Sequence, residues 1–387
     1  MHSSYVEKRQ DVLVKQIQKA SEHAQSCWDT AVQNGLFHVP ARCEKCKRGR
    51  YSKKLEMVKA KNQGVAHVSA KFFKYAHYVL RCDNWTCRHR LNAVRTAPWP
   101  EKCCHTLTLE QVAEIICMWL QAKQSPPSPR TVADRVSCSR WAAQSLLDFI
   151  TMKTAAVAED MSAGKQVISR RLRPAEVYEI DGAGIGKLFV SARSEHWKRQ
   201  IELWNRLHPR SATPKYFQGH VRLLGVTCRT TGWLLLKPLP VKLVPPKARP
   251  PQESRQEVAQ ANLLKLVPKG SVVCADGARG FPASCKKDFG NKKFRVAQVN
   301  HQKNIFTKRY TFRNLWGKAY RRIIAGTQQL DSTWRHLKKW RPQSLQQKLQ
   351  SGVNPMRFKW AYSYMWRHNA KCENMLNLKT LSDTLWR

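Results

Sequence analysis

Apolar and polar residues follow different periods in different parts of the chain, and the changes of period predict its elements. Residues 1–36 carry a modest apolar stripe at helical spacing, which predicts a polar helix that ends at Gly35. Residues 65–80 alternate imperfectly between apolar and polar side chains, which is typical of a strand. The N-terminal part of the chain is therefore expected to contain one helix and a short β-rich segment.

From Thr108 the apolar positions recur at helical spacing, and the proline-rich stretch 125–129 ends this first helix. A short helix at 131–136, a turn at 137–139 and a long helix from Arg140 to about residue 161 are predicted next. This order is typical of a helix-turn-helix, although a plain three-helix packing unit has the same pattern. The basic surroundings favour DNA contact, with Arg140 as a candidate.

From Val177 onward, short apolar runs alternate with helical stretches, which predicts a mixed α/β fold. The strands precede a crossover helix, a further strand and terminal helices, the order of a ribonuclease-H-like core. A proline-rich loop is expected at 237–251 and a helical insertion at 195–215. Predicted strands are 177–181, 186–191, 220–228, 232–237, 271–276 and 294–299, and predicted helices are 252–266, 328–340 and 355–371.

The charge balance indicates the kind of partner. Lys and Arg number 69 against 26 acidic residues among 387, a formal charge of +43 that is spread along the whole chain. Such a charge predicts tight, salt-sensitive attraction to nucleic acid. We see no apolar run near membrane-spanning length and no apolar leader at the start, so neither membrane insertion nor secretion is expected.

Cysteine spacing predicts a structural zinc site. Thirteen cysteines form an odd, scattered set, which argues against a secreted disulfide framework. Cys43-x2-Cys46 and Cys82-x4-Cys87 resemble the two thiolate hooks of a zinc ribbon, which close a tetrahedral shell. The second hook is wider than usual, so the fourth ligand stays open among Cys87 and its neighbours His89, Cys103, Cys104 and His105, and buried free thiols are the alternative.

Three acids point to phosphoryl-transfer chemistry. Asp181 and Asp276 each follow an apolar strand and precede a glycine, and Asp331 opens an amphipathic helix. A two-metal site of Mg²⁺ or Mn²⁺ requires several carboxylates held by rigid elements, and here two strand ends and one helix would supply three of them. Each Asp-Gly pair alone is explained equally well by a turn. The glycines 182, 184 and 186 are expected to form a hairpin turn beside the first Asp, because another strand rather than a helix follows them.

Cations accompany the third acid. In the helix at 328–340, Asp331 and Arg335 share one face, Lys338 and Lys339 follow, and Trp334 and Leu337 are expected to face inward. An N-terminal-turn Asp favoured by the helix dipole is the alternative. Near the end of the next helix, Arg367 and Asn369 are further candidates for phosphate contact.

Nearly the whole chain resembles the DDE transposases of the Merlin superfamily and their bacterial relatives with an ISXO-like transposase domain. The resemblance rests on the zinc ribbon, the helix-turn-helix, Glu-Ile-Asp181, Ala-Asp276-Gly277, Val-Asn300-His301, the block from Thr327 to Lys338, and Trp-Arg367-x-Asn369. It implies that Asp181, Asp276 and Asp331 ligate two magnesium ions. The third acid departs from the Glu of the family and is one methylene shorter, and the 195–215 insertion is longer than expected.

The resemblance implies a multidomain α/β protein with a helical segment at 1–40, a zinc ribbon at 41–97, a helix-turn-helix at 105–162, a catalytic core at 172–340 and a C-terminal segment at 341–387. Cut-and-paste transposition is the expected activity, on double-stranded DNA with terminal inverted repeats and target DNA. A homodimer or larger synaptic complex is expected, in the nucleus of a eukaryote or otherwise in the cytoplasm or nucleoid. Alternatives are a weakened or host-adopted copy that binds DNA without cutting it, and a basic RNA-binding protein.

Overall fold

The computed structural model describes residues 22–58, 77–99, 107–165, 172–248, 250–278, 280–288, 294–300, 303–313, 319–342 and 358–387. The chain divides into two units, one of Met1–Lys153 with Leu376–Arg387 and one of Thr154–Met375. The division falls inside a long helix, and the last residues belong to the first unit. This differs from the sequence-based division, which placed the boundary between 162 and 172 and made 341–387 a separate segment.

The first unit combines helices with a small sheet whose three strands pair antiparallel in the order β1-β2-β3. Its elements, up to the helix shared with the second unit, are α1 (22–33), β1 (Glu56–Val58), β2 (His77–Arg81), β3 (Arg90–Asn92), α2 (Leu109–Gln121), α3 (Pro129–Val136) and α4 (Arg140–Ser162).

Local capping explains the bounds of these helices. Thr108 and Gln111 form a reciprocal capping box at the start of α2, and Ser128 caps α3, which has Pro129 in its first turn. Ser137 ends α3 in a left-handed conformation with φ 54°. The Gln111 amide then donates to the carbonyls of residues 136 and 137 at 3.2 and 3.1 Å. The predicted helix, short helix, turn and long helix are confirmed.

The predicted N-terminal helix and strand are described only in part. The described portion of α1 is followed by Gly35, whose φ of +73° favours glycine, as expected for a helix end. Trp28 of α1 stacks on Phe37 with ring centroids 5.0 Å apart. The start of the predicted helix at 1–36 and most of the predicted strand at 65–80 lie outside the described residues, which omit 1–21 and 59–76.

The second unit is built on a mixed five-stranded sheet in the order β6-β5-β4-β7-β8. Strands β4, β5 and β6 pair antiparallel, whereas β7 and β8 run parallel to β4. The remaining elements are β4 (Val177–Ser191), α5 (Lys198–Leu207), β5 (Tyr216–Cys228), β6 (Leu234–Val244), α6 (Arg255–Ala261), α7 (Leu263–Leu266), β7 (Ser271–Ala275), α8 (Gly280–Lys287), β8 (Phe294–Gln298), β9 (Lys308–Arg313), β10 (Ala319–Ala325), α9 (Gln328–Trp340), α10 (Lys359–Cys372) and, in the first unit, α11 (Leu378–Leu385).

The expected hairpin turn at residues 182–186 is wrong. Strand β4 runs unbroken through these residues, and a shift of register between Gly184 and Gly186 marks a bulge in its pairing with β5. The glycine-rich sequence that suggested a turn therefore bends a long strand. One strand carries both Asp181 and the residues that follow the bulge.

Several further elements differ from expectation, and among them helix α8 was not predicted. The predicted loop at 237–251 is strand as far as Val244, because β6 lies at the sheet edge, where prolines are tolerated. The predicted helix at 252–266 is two short helices separated by Asn262 at φ 61°. The β9–β10 hairpin and the last helix, α11, were not predicted.

Helix α9 packs against the centre of the sheet, and glycine makes this close approach possible. A Cβ on Gly225 of β5 would lie 2.7 Å from the Trp334 ring. Trp334 and Leu337 are buried, as the amphipathic pattern predicted. The close contact brings the start of α9 over the neighbouring strand β4, which carries Asp181.

Candidate functional site

The first candidate site is a cluster of four cysteines. Ligand atoms of Cys43, Cys46, Cys82 and Cys87 all lie within 4.8 Å of one another, so the cluster could hold a metal ion such as zinc. The structure thus selects Cys87 as the fourth thiol. The His89 ring instead bonds to the Tyr51 hydroxyl at 3.0 Å, and residues 103–105 lie outside the described part of the chain.

Backbone geometry shapes both cysteine hooks in the same way. The residue after each second cysteine is left-handed, with φ 59° at Lys47 and 45° at Arg88. A Cβ on Gly49 would lie 2.5 Å from the Cys82 sulfur, so glycine is required beside the cluster. Burial opposes ionisation of Cys43, but backbone N–H groups of the first hook outweigh it and lower its pKa to about 6. The hook therefore favours the thiolate that a metal binds.

The second candidate site lies at the edge of the large sheet where β7 ends. Ile180 of β4 pairs with Ala275 of β7 in parallel register, so Asp181 and Asp276 follow side by side on neighbouring strands. Asp276 turns the chain there, since its carboxylate accepts a hydrogen bond from the Ala278 N–H at 2.9 Å. The Gln298 amide on β8 donates to the Asp276 carbonyl at 3.1 Å. Both aspartates are partly exposed.

Helix α9 brings the third carboxylate to this edge. Trp334 Nε1 donates to Asp181 Oδ2 at 2.9 Å, which ties the helix to the first acid. Asp331 lies in the first turn of the helix, and its carboxylate accepts a hydrogen bond from the Thr327 hydroxyl at 3.3 Å. The described residues thus bring together α9, the end of β7 and the middle of β4, because β4 continues past Asp181 instead of ending there as predicted.

The pKa of Asp181 depends on the other two acids. Burial, followed by repulsion from Asp276 and a smaller repulsion from Asp331, holds the pKa of Asp181 well above its ordinary value, although the Trp334 bond opposes the shift. The charges of both other acids therefore reach Asp181. Among the described residues, however, only the four cysteines have ligand atoms all within 4.8 Å. The oxygens of the three carboxylates are therefore farther apart than the ligand atoms around one metal ion would be.

A buried ion pair fixes α9 on the sheet. Glu179 of β4 is 1 % exposed, and its carboxylate accepts hydrogen bonds from Arg229 Nε at 2.7 Å and from the Leu330 N–H at 2.9 Å. The second bond caps the helix beside Asp331. Arg229 also donates to the Gly326 carbonyl at 2.8 Å. Glu179 therefore positions the third acid without belonging to the triad, a role that its sequence pattern did not indicate.

Glu253 is a fourth acid near the site that sequence reasoning missed. A Cβ on Gly182 would collide with its carboxylate, so a larger residue after Asp181 would displace the Glu253 side chain. Burial, and beyond it the charge of Asp276, raises the pKa of Glu253, while Arg222 opposes the shift from 3.8 Å. It lies just before α6, at the start of the stretch that was predicted to be helix, where no pattern marks it as functional.

The predicted phosphate contacts have different outcomes. Arg140, Arg335, Lys338 and Lys339 are exposed. Arg367 is partly buried, with its guanidinium carbon 5.2 Å from the centre of the Trp340 ring, and burial lowers its pKa to about 10. The assignment of Asn369 is wrong: its side chain is 4 % exposed and exchanges two 2.8 Å hydrogen bonds with the backbone of Leu234. His301 lies outside the described residues.

Within the described part of the chain, every helix is too short or too polar to cross a membrane. Comparisons of the chain with protein-family profiles, with curated proteins and with solved structures give no match.

Proposed function

We propose that the protein is a DDE-type DNA transposase whose second unit is a ribonuclease-H-like catalytic core. The sheet supports this: three antiparallel strands continue through helical connections into two parallel strands, the layout expected of such a core. In open sheets of this kind, sites lie at the carboxyl ends of the parallel strands. Asp276 occupies that position.

The observation that carries the proposal is that the paired strands β4 and β7 and the Trp334–Asp181 hydrogen bond bring the three acids to one place. Burial first, and then repulsion from Asp276 and Asp331, raises the pKa of Asp181 there. Three carboxylates with only oxygen donors fit hard divalent cations, and two Mg²⁺ or Mn²⁺ ions would relieve their repulsion. When bound, such ions would activate a water, or the 3′-hydroxyl of a DNA strand, as the nucleophile and would stabilise the leaving oxygen. The chain itself orients Asp181 through Trp334 and fixes the start of α9 through Glu179.

DNA is the proposed substrate because of the charge of +43 and the exposed cations beside the triad. We assign recognition of terminal inverted repeats to the zinc module and to the helices around Arg140. At the start of α4, Arg140 is exposed beside Trp141, whose side chain is 59 % exposed. A homodimer or larger assembly would hold two DNA ends, in the nucleus or the nucleoid according to the host.

Strand nicking tests the proposal. The full chain is incubated with duplex DNA carrying the terminal repeats, with Mg²⁺ or with a chelator. Asp181→Asn should abolish metal-dependent nicking, whereas Asp160→Asn should retain it. Asp160 lies in the same unit, and its side chain is 46 % exposed in a pair with Lys165, so it matches the chemical change away from the site. Equal nicking by the wild type and Asp181→Asn would remove the catalytic assignment.

The second candidate is a weakened transposase that binds DNA without cutting it. The shorter third acid favours it, as does the wide spacing of the three carboxylates. Asp331→Glu distinguishes the two functions, because the added methylene extends the carboxylate toward the other two acids. A wild type that binds repeat DNA without nicking it, together with an Asp331→Glu variant that nicks, would support the weakened copy.

A further inference from the structure

A cleft lies on the same strand as Asp181, beyond the bulge. Its volume is about 650 Å³, within the range of small-molecule and cofactor sites. The lining comes from the second half of β4, the end of α9 and two neighbouring segments. It consists of Gly184, Ile185, Gly186, Lys187, Leu188, Phe189, His220, Pro250, Lys338 and Arg341.

The lining has two chemical zones. Glycine and apolar residues, including Phe189 and Pro250, make up six of the ten lining residues, and Phe189 leaves 59 % of its surface exposed. Lys187, Lys338 and Arg341 supply three cations, and among the residues that the structure describes no acidic one lines the cleft. Arg341 is held in place, since its guanidinium donates to the Ile185 carbonyl at 2.6 Å. The complementary ligand is a flat apolar ring that carries a phosphate.

We propose that this cleft binds one unpaired nucleotide of a DNA strand, with its base against Phe189 and its phosphate between Lys338 and Arg341. Bases in a duplex are stacked on each other and cannot present a face to Phe189, whereas an unpaired base can. Base stacking on aromatic side chains and phosphate contacts with cations are how proteins hold single strands.

The position of the cleft relates it to the proposed chemistry. Gly184 is three residues beyond Asp181, roughly 10 Å along a strand. The near end of the cleft thus lies close to the carboxylates, and Phe189 is five residues further along the same strand. The choice of DNA rests on the proposed transposase function, but the cleft itself rests on its lining.

Gly184 offers a way to block the cleft. A Cβ there meets nothing within 4 Å, and its φ is outside the left-handed region, so a larger side chain fills open space without backbone strain. Gly184→Leu should therefore occupy the cleft and leave the sheet intact. Lys338→Gln removes one rim cation and, at an exposed position, cannot disturb folding. Lys269→Gln is its charge-matched control, exposed before the start of β7 and absent from the lining.

The experiment uses the full chain and a single-stranded DNA decamer with one 5-iodouracil. Binding is measured by anisotropy without Mg²⁺ in roughly 0.3 M salt, which weakens dispersed phosphate contacts. Ultraviolet cross-linking and peptide mapping then locate the base. We expect cross-links on the peptide that contains Phe189 and at least about a fivefold loss of affinity in Gly184→Leu, the lower limit for a stacked base. Lys338→Gln should weaken binding more than Lys269→Gln.

Cross-links confined to other peptides, or equal affinities of Lys338→Gln and Lys269→Gln, would overturn the proposal. A Gly184→Leu variant with wild-type melting temperature and unchanged cross-links would do the same. An RNA decamer that displaces the DNA with higher affinity would overturn the choice of DNA. Because the assay contains no Mg²⁺ and reads no strand cleavage, a chain that fails to nick DNA can still pass it, and the two proposals fail separately.

Discussion

The hydrogen bond from Trp334 to Asp181 gives the most informative single perturbation. Trp334→Phe removes the indole N–H and keeps an aromatic ring against Gly225. The bond favours the ionised carboxylate, so its loss raises the pKa of Asp181 further. An ionised Asp181 is what a divalent cation requires. The variant should therefore bind cations only at higher pH than the wild type.

The size of the effect follows from the geometry. A hydrogen bond to a charged group contributes about 1.5–3 kcal/mol, and the partial exposure of Asp181 favours the lower end of that range. At about 1.4 kcal/mol per pH unit, the midpoint of cation binding should move up by roughly one pH unit. At a fixed pH below the midpoint, affinity should fall about tenfold.

Titration of Mn²⁺ binding by calorimetry between roughly pH 5 and 8 measures this midpoint. Trp340→Phe is the matched control, because Trp340 is a buried tryptophan of the same helix that packs against Tyr364 and Arg367 instead. Both variants lose similar packing, and only one loses the bond to Asp181. An unchanged midpoint in Trp334→Phe, or an equal shift in both variants, would refute the role given to the indole.

Three further predictions concern zinc, helix position and stability. Gly49→Ala should lower the zinc content per chain, measured by atomic emission, because the added Cβ would collide with the Cys82 sulfur. Gly184→Ala, whose Cβ meets nothing, should keep the wild-type zinc content, and equal zinc in both variants would contradict the role given to Gly49. Glu179→Gln should lower the free energy of unfolding by about 2–4 kcal/mol in urea, because it leaves Arg229 without its buried partner; a loss below about 0.5 kcal/mol would show that the pair does not fix α9. Without metal, a raised pKa means that folded Asp181 binds its proton more tightly than unfolded Asp181, so stability should fall as pH rises through that pKa. Thermal melts should show a smaller fall for Asp181→Asn, and identical profiles would contradict the assigned pKa shift.

Sequence patterns predicted elements whose signals are local. The helical period that begins at Thr108 and the proline-rich stretch at 125–129 predicted the first helices, and the apolar runs before Asp181 and Asp276 predicted two strands. The cysteine hooks were also found, because ligand spacing is a local property. The choice of Cys87 required the fold, since it depends on which thiol reaches the other three.

The errors arose where tertiary contacts decide. The glycines at 182–186 permit a turn as readily as a bulge, and pairing with β5 selects the bulge. Pro238 and Pro240 are compatible with a strand only because β6 lies at the sheet edge. Asn369 looked like a surface contact, yet it bonds the backbone of β6. Glu253 lies beside Gly182 because of tertiary contacts, and the pattern of apolar and polar residues contains no sign of them.

The central claim is that Asp181, Asp276 and Asp331 together hold divalent cations. Anomalous diffraction from crystals of the full chain grown with Mn²⁺ and terminal-repeat DNA tests it most directly. The account predicts two manganese peaks about 3.5–4 Å apart, bridged by these carboxylates. Well-ordered carboxylates with no manganese between them, at saturating Mn²⁺, would contradict it.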